Sequence, residues 1–319
     1  MATTNLRAAP EGLSKPAELV QPVIDALEQI IVGKPLELRL SLACLLARGH
    51  LLIEDLPGVG KTTLAHALAK ALDLSYQRVQ FTSDLLPADV IGVSIYGRDT
   101  GRFEFHKGPI FSQLVLADEI NRATPKAQSA LLEAMEERQV TADGTTYALP
   151  APFFVVATRN PTEQIGTFPL PESQLDRFLM QISLGYPQPD EERQLLANGD
   201  RRDLVGQLAA AMSVDLLLNL QSSVLEIHLS DAVLDYIQAL VAYTRESGQF
   251  RAGLSPRGAI ALVRASQAWA MIASHNGVYP EDVQAVLPGV AGHRLEPAQG
   301  NYLESTGIGE SILEAVPVT

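Results

Sequence analysis

Apolar residues recur at helical spacing through Leu19, Val23, Ile24, Leu27, Ile30 and Ile31, which predicts a helix over 19–31. Ile31-Val32-Gly33-Lys34 interrupts it, and a second helix is expected over about 36–47. The pattern then changes to short, mostly continuous apolar runs at 51–54, 76–81, 113–117, 153–158 and 178–184. Unbroken runs are expected of parallel strands covered on both faces, whereas a half-exposed strand alternates. Helical stretches at 61–72 and 125–137 fall between several of them, so the expected fold class is α/β, a doubly wound parallel sheet of five strands.

Two segments break this alternation. Residues 90–107 read as strand, turn and strand, with Arg98-Asp99-Thr100-Gly101 as the turn. Residues 138–150 do the same around Ala142-Asp143-Gly144, an Asp-Gly hairpin signal. Neither hairpin is needed to complete the sheet. After Tyr186-Pro187-Gln188-Pro189 the strand signal largely stops, and 231–247, 256–274 and 280–287 read as helices. The expected division is an α/β domain with N-terminal helices over 1–187, then a linker and a mainly helical domain over 188–319.

At 319 residues and 46% hydrophobic content the chain can bury a sizeable core. No apolar run approaches the roughly 18 residues of a membrane span, and the opening MATTNLRAAP lacks the apolar stretch of a secretory signal. The single Cys44 lies in a leucine-rich helical stretch and reads as core, consistent with a reducing cytoplasm, and the six histidines show no metal-ligand spacing. A net charge of −13 argues against general affinity for phosphate backbones.

Chemistry enters at Leu51–Thr63, LLIEDLPGVGKTT: an apolar strand, a loop Pro57-Gly58-Val59-Gly60, then Lys61-Thr62-Thr63 at the start of a helix carrying Leu64, Leu68 and Leu72. Gly58 and Gly60 let backbone N–H groups curl around phosphate oxygens, and the helix N-terminus adds partial positive charge. Lys61 is a mobile cation for the outer phosphates, and the Thr62 hydroxyl suits Mg²⁺. The full pattern has glycine six places before the lysine; here that residue is Asp55, which puts the tight exit from the strand in doubt more than the phosphate contacts.

About 55 residues further on, Leu114–Asp118 is an apolar strand ending in an acid, followed by Glu119, and Thr124-Pro125 caps and opens a helix. Asp118 is placed to hold Mg²⁺ and Glu119 to polarise an attacking water, as phosphoryl transfer requires. The run 153–158 ends in Arg159-Asn160-Pro161, and carboxyl ends of neighbouring parallel strands converge on one crevice, so Asn160 can reach the water or the γ-phosphate; a plain Asn-Pro turn is the alternative. Arg177, in ESQLDRF, is either a surface ion-pair partner or a cation offered to the γ-phosphate of a neighbouring subunit. Ser255-Pro256 reads as a capped helix start, which puts Arg257 in the first turn, where it either projects toward a phosphate or stays exposed.

Taken together, EDLPGVGKTTLA (54–65), LADEINRATPKAQSALLEAMEE (116–137), ATRNP (157–161), LPESQLDRF (170–178) and LSPRGA (254–259) resemble an AAA+ ATPase, and more narrowly the MoxR family. SDLLPADVIGV (83–93) and EFHKGPIF (104–111) also match, and coverage runs from about Ile31 to the last helices. The resemblance implies a small all-helical lid, ATP and Mg²⁺ as ligands, and Ile31-Val32-Gly33 bordering the adenine. It implies Asn160 as sensor 1, Arg177 as a finger acting in trans, and Arg257 as sensor 2, in cis or in trans. The hairpins resemble inserts that face a ring's central channel. It further implies a hexamer, the usual assembly of family members, that acts as a chaperone-like motor on protein clients, with a partner that carries a von Willebrand A domain. Asp55 in place of glycine is usual among them. The competing reading is a nucleic-acid motor, since helicases share the two-hairpin architecture; on the hairpins Arg98, Arg102, His106 and Lys107 are offset by Asp99, Glu104 and Asp143.

Overall fold

A computed structural model describes residues 16–99, 101–161, 166–198, 202–298 and 305–318. The opening decapeptide and the hairpin residue Thr100, both used in the sequence reading, lie outside the described residues.

Helices α1 (Pro16–Ile30) and α2 (Pro35–Leu46) precede β1 (Leu51–Glu54), α3 (Lys61–Ala71) and β2 (Tyr76–Gln80). A one-turn helix α4 (Pro87–Ile91) leads into the hairpin β3 (Gly92–Gly97) and β4 (Arg102–Lys107). Then come β5 (Leu114–Asp118), α5 (Pro125–Glu137), the hairpin β6 (Gln139–Ala142) and β7 (Thr145–Ala148), β8 (Phe154–Arg159), α6 (Glu172–Leu175) and β9 (Met180–Ile182). The remainder is helical: α7 (Pro189–Asn198), α8 (Arg202–Val205), α9 (Val214–Val224), α10 (Asp231–Glu246), α11 (Pro256–Ile272), α12 (Pro280–Ala291) and α13 (Ser305–Ala315).

The five-stranded sheet has the order β2-β5-β8-β1-β9 and is parallel throughout. β5 and β8 are buried along almost their whole length, which explains their unbroken apolar sequences. β2 lies at an edge, and only Val79 of it is buried. One face packs into a hydrophobic cluster that runs from α1, α2 and α3 into α9 to α12, so the N-terminal helices and the C-terminal helices share one core. The other face packs on α5 and the segment around α4. Cys44 is buried in the first cluster, and burial raises its thiol pKa far above the usual range. Among the described residues no helix is long and apolar enough to cross a membrane.

The second hairpin turns through Asp143 and Gly144, both at positive φ (50° and 76°), as the Asp-Gly signal requires. Its Tyr147 stacks on Phe105 of the first hairpin at 4.5 Å, which ties the two together. β9 is shorter than the apolar run 178–184, because the Phe178 and Leu179 carbonyls accept hydrogen bonds from α12's end and the Leu184 N–H turns to Asp55. α12 runs four residues beyond the expected 280–287, through Pro288, against which Gly309 of α13 packs closely. Thr124 stands at the N-cap of α5 but makes no side-chain cap bond, in contrast to the sequence expectation; Pro125 at the next position has no N–H to satisfy.

His50, just ahead of β1, accepts from the Val155 N–H on Nδ1 (3.0 Å) and contacts the Met135 carbonyl through Nε2 (3.2 Å), a pairing that puts the proton on Nε2. It thereby joins α5 and β8 to the start of β1. Burial pushes its pKa down to about 4, because the charged imidazolium would be desolvated. A depressed histidine pKa stabilises the fold above the unfolded value and loses that contribution as pH falls toward the folded one. Between pH 7 and pH 5, His50 should therefore cost about 2 kcal/mol of unfolding free energy. Urea titrations of the parent protein and His50→Gln check this: the variant should be less stable at pH 7 and show a smaller loss between the two pH values.

Candidate nucleotide site

The loop after β1 fits a phosphate chain. Gly58 and Gly60 adopt φ of 86° and 100°, a left-handed region that favours glycine, and a Cβ added at Gly58 would meet nothing within 4 Å. α3 starts at Gly60 without any side-chain cap, so the N–H groups of its first turn point outward from the helix end with the macrodipole behind them. Pro57 is exposed, Val59 packs against the main core, and Thr62 and Thr63 are half-buried in the first turn of α3. The Lys61 ammonium donates to the carbonyls of Asp55 (2.5 Å) and Leu56 (3.2 Å), at the loop it would leave to reach an outer phosphate.

The segment 31–33 lies beside this loop: Ile31 Cδ1 would be 3.9 Å from a Cβ at Gly60. Gly33 has a φ of 72°, and a side chain there would collide with the Glu191 carboxylate, while Lys34 donates to the Tyr186 carbonyl (2.9 Å). Val32 and Gly33 are thus framed by the linker that leaves β9, a neighbourhood that a local sequence reading cannot supply.

Asp55 is more than a substitute in a turn. Its place in the pattern bears only on the tight exit from the strand, but Asp55 is buried, 6% exposed, and its carboxylate is the acceptor for four donors. The loop exit needs no glycine at this position, since Asp55 is not among the residues with positive φ.

The acidic end of β5 is braced by its neighbours. Thr158 of β8 donates from Oγ1 to Asp118 Oδ1 (2.7 Å) and accepts from the Glu119 N–H (2.8 Å). Arg78 of β2 donates to Asp118 Oδ2 through Nε (3.0 Å) and a terminal nitrogen (2.6 Å). Glu119 itself sits at φ 56°, with Gln80 donating to its Oε2 (2.8 Å) and Arg122 Nε 3.2 Å from the same oxygen. Asn160, buried, directly follows β8, and the Asp55 N–H donates to the Arg159 carbonyl beside it. The carboxyl ends of β5, β8 and β1 therefore bring Asp118, Glu119, Asn160 and the glycine loop to one edge of the sheet. Thr158, Arg78 and Gln80 escaped the sequence reading because their partners lie about 40 residues away; an arginine in a strand next to an acid-ending strand is the only local hint.

Arg177 and Arg257 do not stand at that edge as isolated cations. Arg177 Nε is 3.2 Å from Glu136 Oε2, and Arg257 donates to Oε1 of the same carboxylate, at the end of α5. Ser255 does cap α11, accepting from Gly258 N (3.0 Å). The tertiary structure thus gathers two arginines that the sequence separates by 80 positions onto one acid.

Comparison with known proteins agrees with this architecture. The family model of the ATPase family associated with various cellular activities (AAA) matches residues 50–180, and that of the AAA lid domain matches residues 242–311. The protein YeaC of Bacillus subtilis (strain 168), itself uncharacterized, is 45% identical over 303 residues, spanning 94% of this chain and 95% of its own. Chaperone MoxR1 of Mycobacterium tuberculosis is 39% identical over 89% of this chain and 78% of its own. The 2.00 Å crystal structure of a candidate ATPase from Cytophaga hutchinsonii has a TM-score of 0.86 and 38% identity, covering 95% of this chain and 96% of that one. With homologues named MoxR at comparable identity over most of its length, the chain belongs to the MoxR family of AAA+ ATPases, chaperone-like proteins built on a nucleotide-binding core.

Proposed function

We propose that this chain hydrolyses ATP to ADP and phosphate, with Mg²⁺, as a subunit of a homohexameric ring that remodels or matures protein complexes in the cytoplasm beside a von Willebrand A-domain partner. The observation that carries the reading is the meeting at one sheet edge of a left-handed glycine loop, Lys61, a braced acid pair and Asn160. Backbone N–H groups of 58–63, in the loop that Pro57 opens, and the Lys61 ammonium bind the phosphates, and Val32 and Gly33 border the adenine. Thr62 and Asp118 would hold Mg²⁺, which would supply positive charge against that of the phosphates. Glu119 takes the proton of the attacking water and Asn160 orients that water.

Arg177 and Arg257 share Glu136, so they occupy one face and act together. A finger that completes a neighbour's site takes its companion with it, which supports a trans role for Arg257 as well. A protein client is favoured by the first hairpin, where Tyr96 and Phe103 pair edge-on with both rings exposed, an apolar tip suited to gripping a polypeptide.

Replacing Glu119 by Gln should leave ATP binding intact while turnover falls about 10²-fold or more; calorimetry with ATP and a phosphate-release assay measure the two, and unchanged turnover removes Glu119 from its role. Arg177→Ala and Arg257→Ala should each lower kcat steeply, about 10³-fold for Arg177, with nucleotide affinity of the dilute protein unaltered. Turnover per subunit of the parent protein should rise with protein concentration as rings assemble, followed alongside light scattering. Activity independent of concentration from a monomeric species contradicts the ring.

A further inference from the structure

We propose that Asp55 is a positioning residue that ties the phosphate loop to β9 and, through β9, sets the placement of Arg177 toward the neighbouring subunit. The proposal rests on the reading of Arg177 as a cation acting in trans.

Asp55 faces two ways. Its carbonyl accepts from Lys61 Nζ, and its N–H donates to Arg159 in β8, so its main chain belongs to the nucleotide loop. Its carboxylate belongs to the other end of the strand next door: Oδ2 accepts from Leu184 N (2.6 Å), Gly185 N (2.7 Å) and Ser183 Oγ (3.1 Å), while Oδ1 accepts from Leu56 N (2.8 Å). Two consecutive backbone donors on one carboxylate oxygen leave little slack, and charge-assisted bonds of this kind are the stronger class. A glycine here would take away the acceptor of the buried Leu184 N–H.

β9 has only three residues, about 10 Å of chain. It is bonded along its length to β1, with Leu51, Leu52 and Ile53 opposite Met180, Gln181 and Ile182. Its far end is equally confined. Arg294, with a side chain 4% exposed, donates to Asp176 Oδ1 (2.7 Å) and to the carbonyls of Asp176, Phe178 and Leu179. His293 contacts the Phe178 carbonyl (3.0 Å), and Ser255 donates to Asp176 Oδ2 (3.0 Å). Arg177 thus sits inside a bracket at one end of a short strand whose other end is held by Asp55. A displacement of the phosphate loop carries Asp55, the exit of β9 and so the bracketed arginine, a route by which the nucleotide state of one subunit alters the cation it presents to the next.

The test separates this remote effect from any effect on a subunit's own site. Glu119→Gln protomers cannot hydrolyse but can offer a finger; Arg177→Ala protomers can hydrolyse once a neighbour supplies one. Their mixture should regain turnover. Adding Asp55→Ala to the Glu119→Gln protomers should lower that regained turnover about fivefold at saturating ATP, although every hydrolysing protomer retains Asp55. Ser183→Ala, which removes one of the four bonds, should act in the same direction but less, and decides the matter if Asp55→Ala fails to fold or assemble. Amide hydrogen exchange at Leu184 and Gly185 should quicken in Asp55→Ala, while global unfolding by urea stays cooperative. Regained turnover undiminished by both variants overturns the proposal alone. No regained turnover in the parent mixture overturns the trans reading of Arg177, and the proposal with it.

Discussion

In an all-parallel sheet the crossover segments cover both faces, so the central strands are apolar along their length and their polar side chains gather toward the strand ends. Here that constraint delivers the chemistry. β5 and β8 are apolar and buried until their last residues, where Asp118, Arg159 and Asn160 appear together. Thr158 is the one hydroxyl placed inside this apolar interior. It bonds Asp118 and the Glu119 N–H at once, so the direction of the acid pair is set by a neighbouring strand rather than by its own.

The same logic governs the chain beyond the sheet. The apolar residues of the helical C-terminal part join those of α1 and α2 in one cluster. Charged side chains fix how the parts meet. Arg294 is buried against the carbonyls around Arg177, and burial lowers its pKa, with Asp176 opposing that shift by bond and charge. Glu136 then collects Arg177 and Arg257 from the two parts of the molecule. The region proposed to serve a neighbouring subunit is thus joined by the ion pairs of Glu136 and Asp176, while backbone geometry and Asp55 shape the phosphate loop.

Asp55 shows how a departure from a motif gains meaning only in three dimensions. In the sequence it is a residue out of pattern at the start of a phosphate loop. In the structure it is the acceptor that closes the end of β9, and that use shortens the strand from what its apolar run suggests.

Much of the molecule was legible from the chain alone, for physical reasons that act locally. Hydrophobic period separates helices from buried strands, Asp143-Gly144 prefers the left-handed turn it adopts, and Ser255-Pro256 caps and opens α11 as its chemistry dictates. The five motifs at 54–65, 116–137, 157–161, 170–178 and 254–259, in that order, carried the resemblance to the family, since each is a contiguous run readable without the fold. What the sequence could not disclose are pairings across 40 to 130 positions: Thr158 with Asp118, Asp55 with Leu184, Arg177 and Arg257 with Glu136. Such contacts depend on strand order and on how the C-terminal helices dock, and both are settled by burial summed over the whole core rather than by any residue's neighbours in the chain.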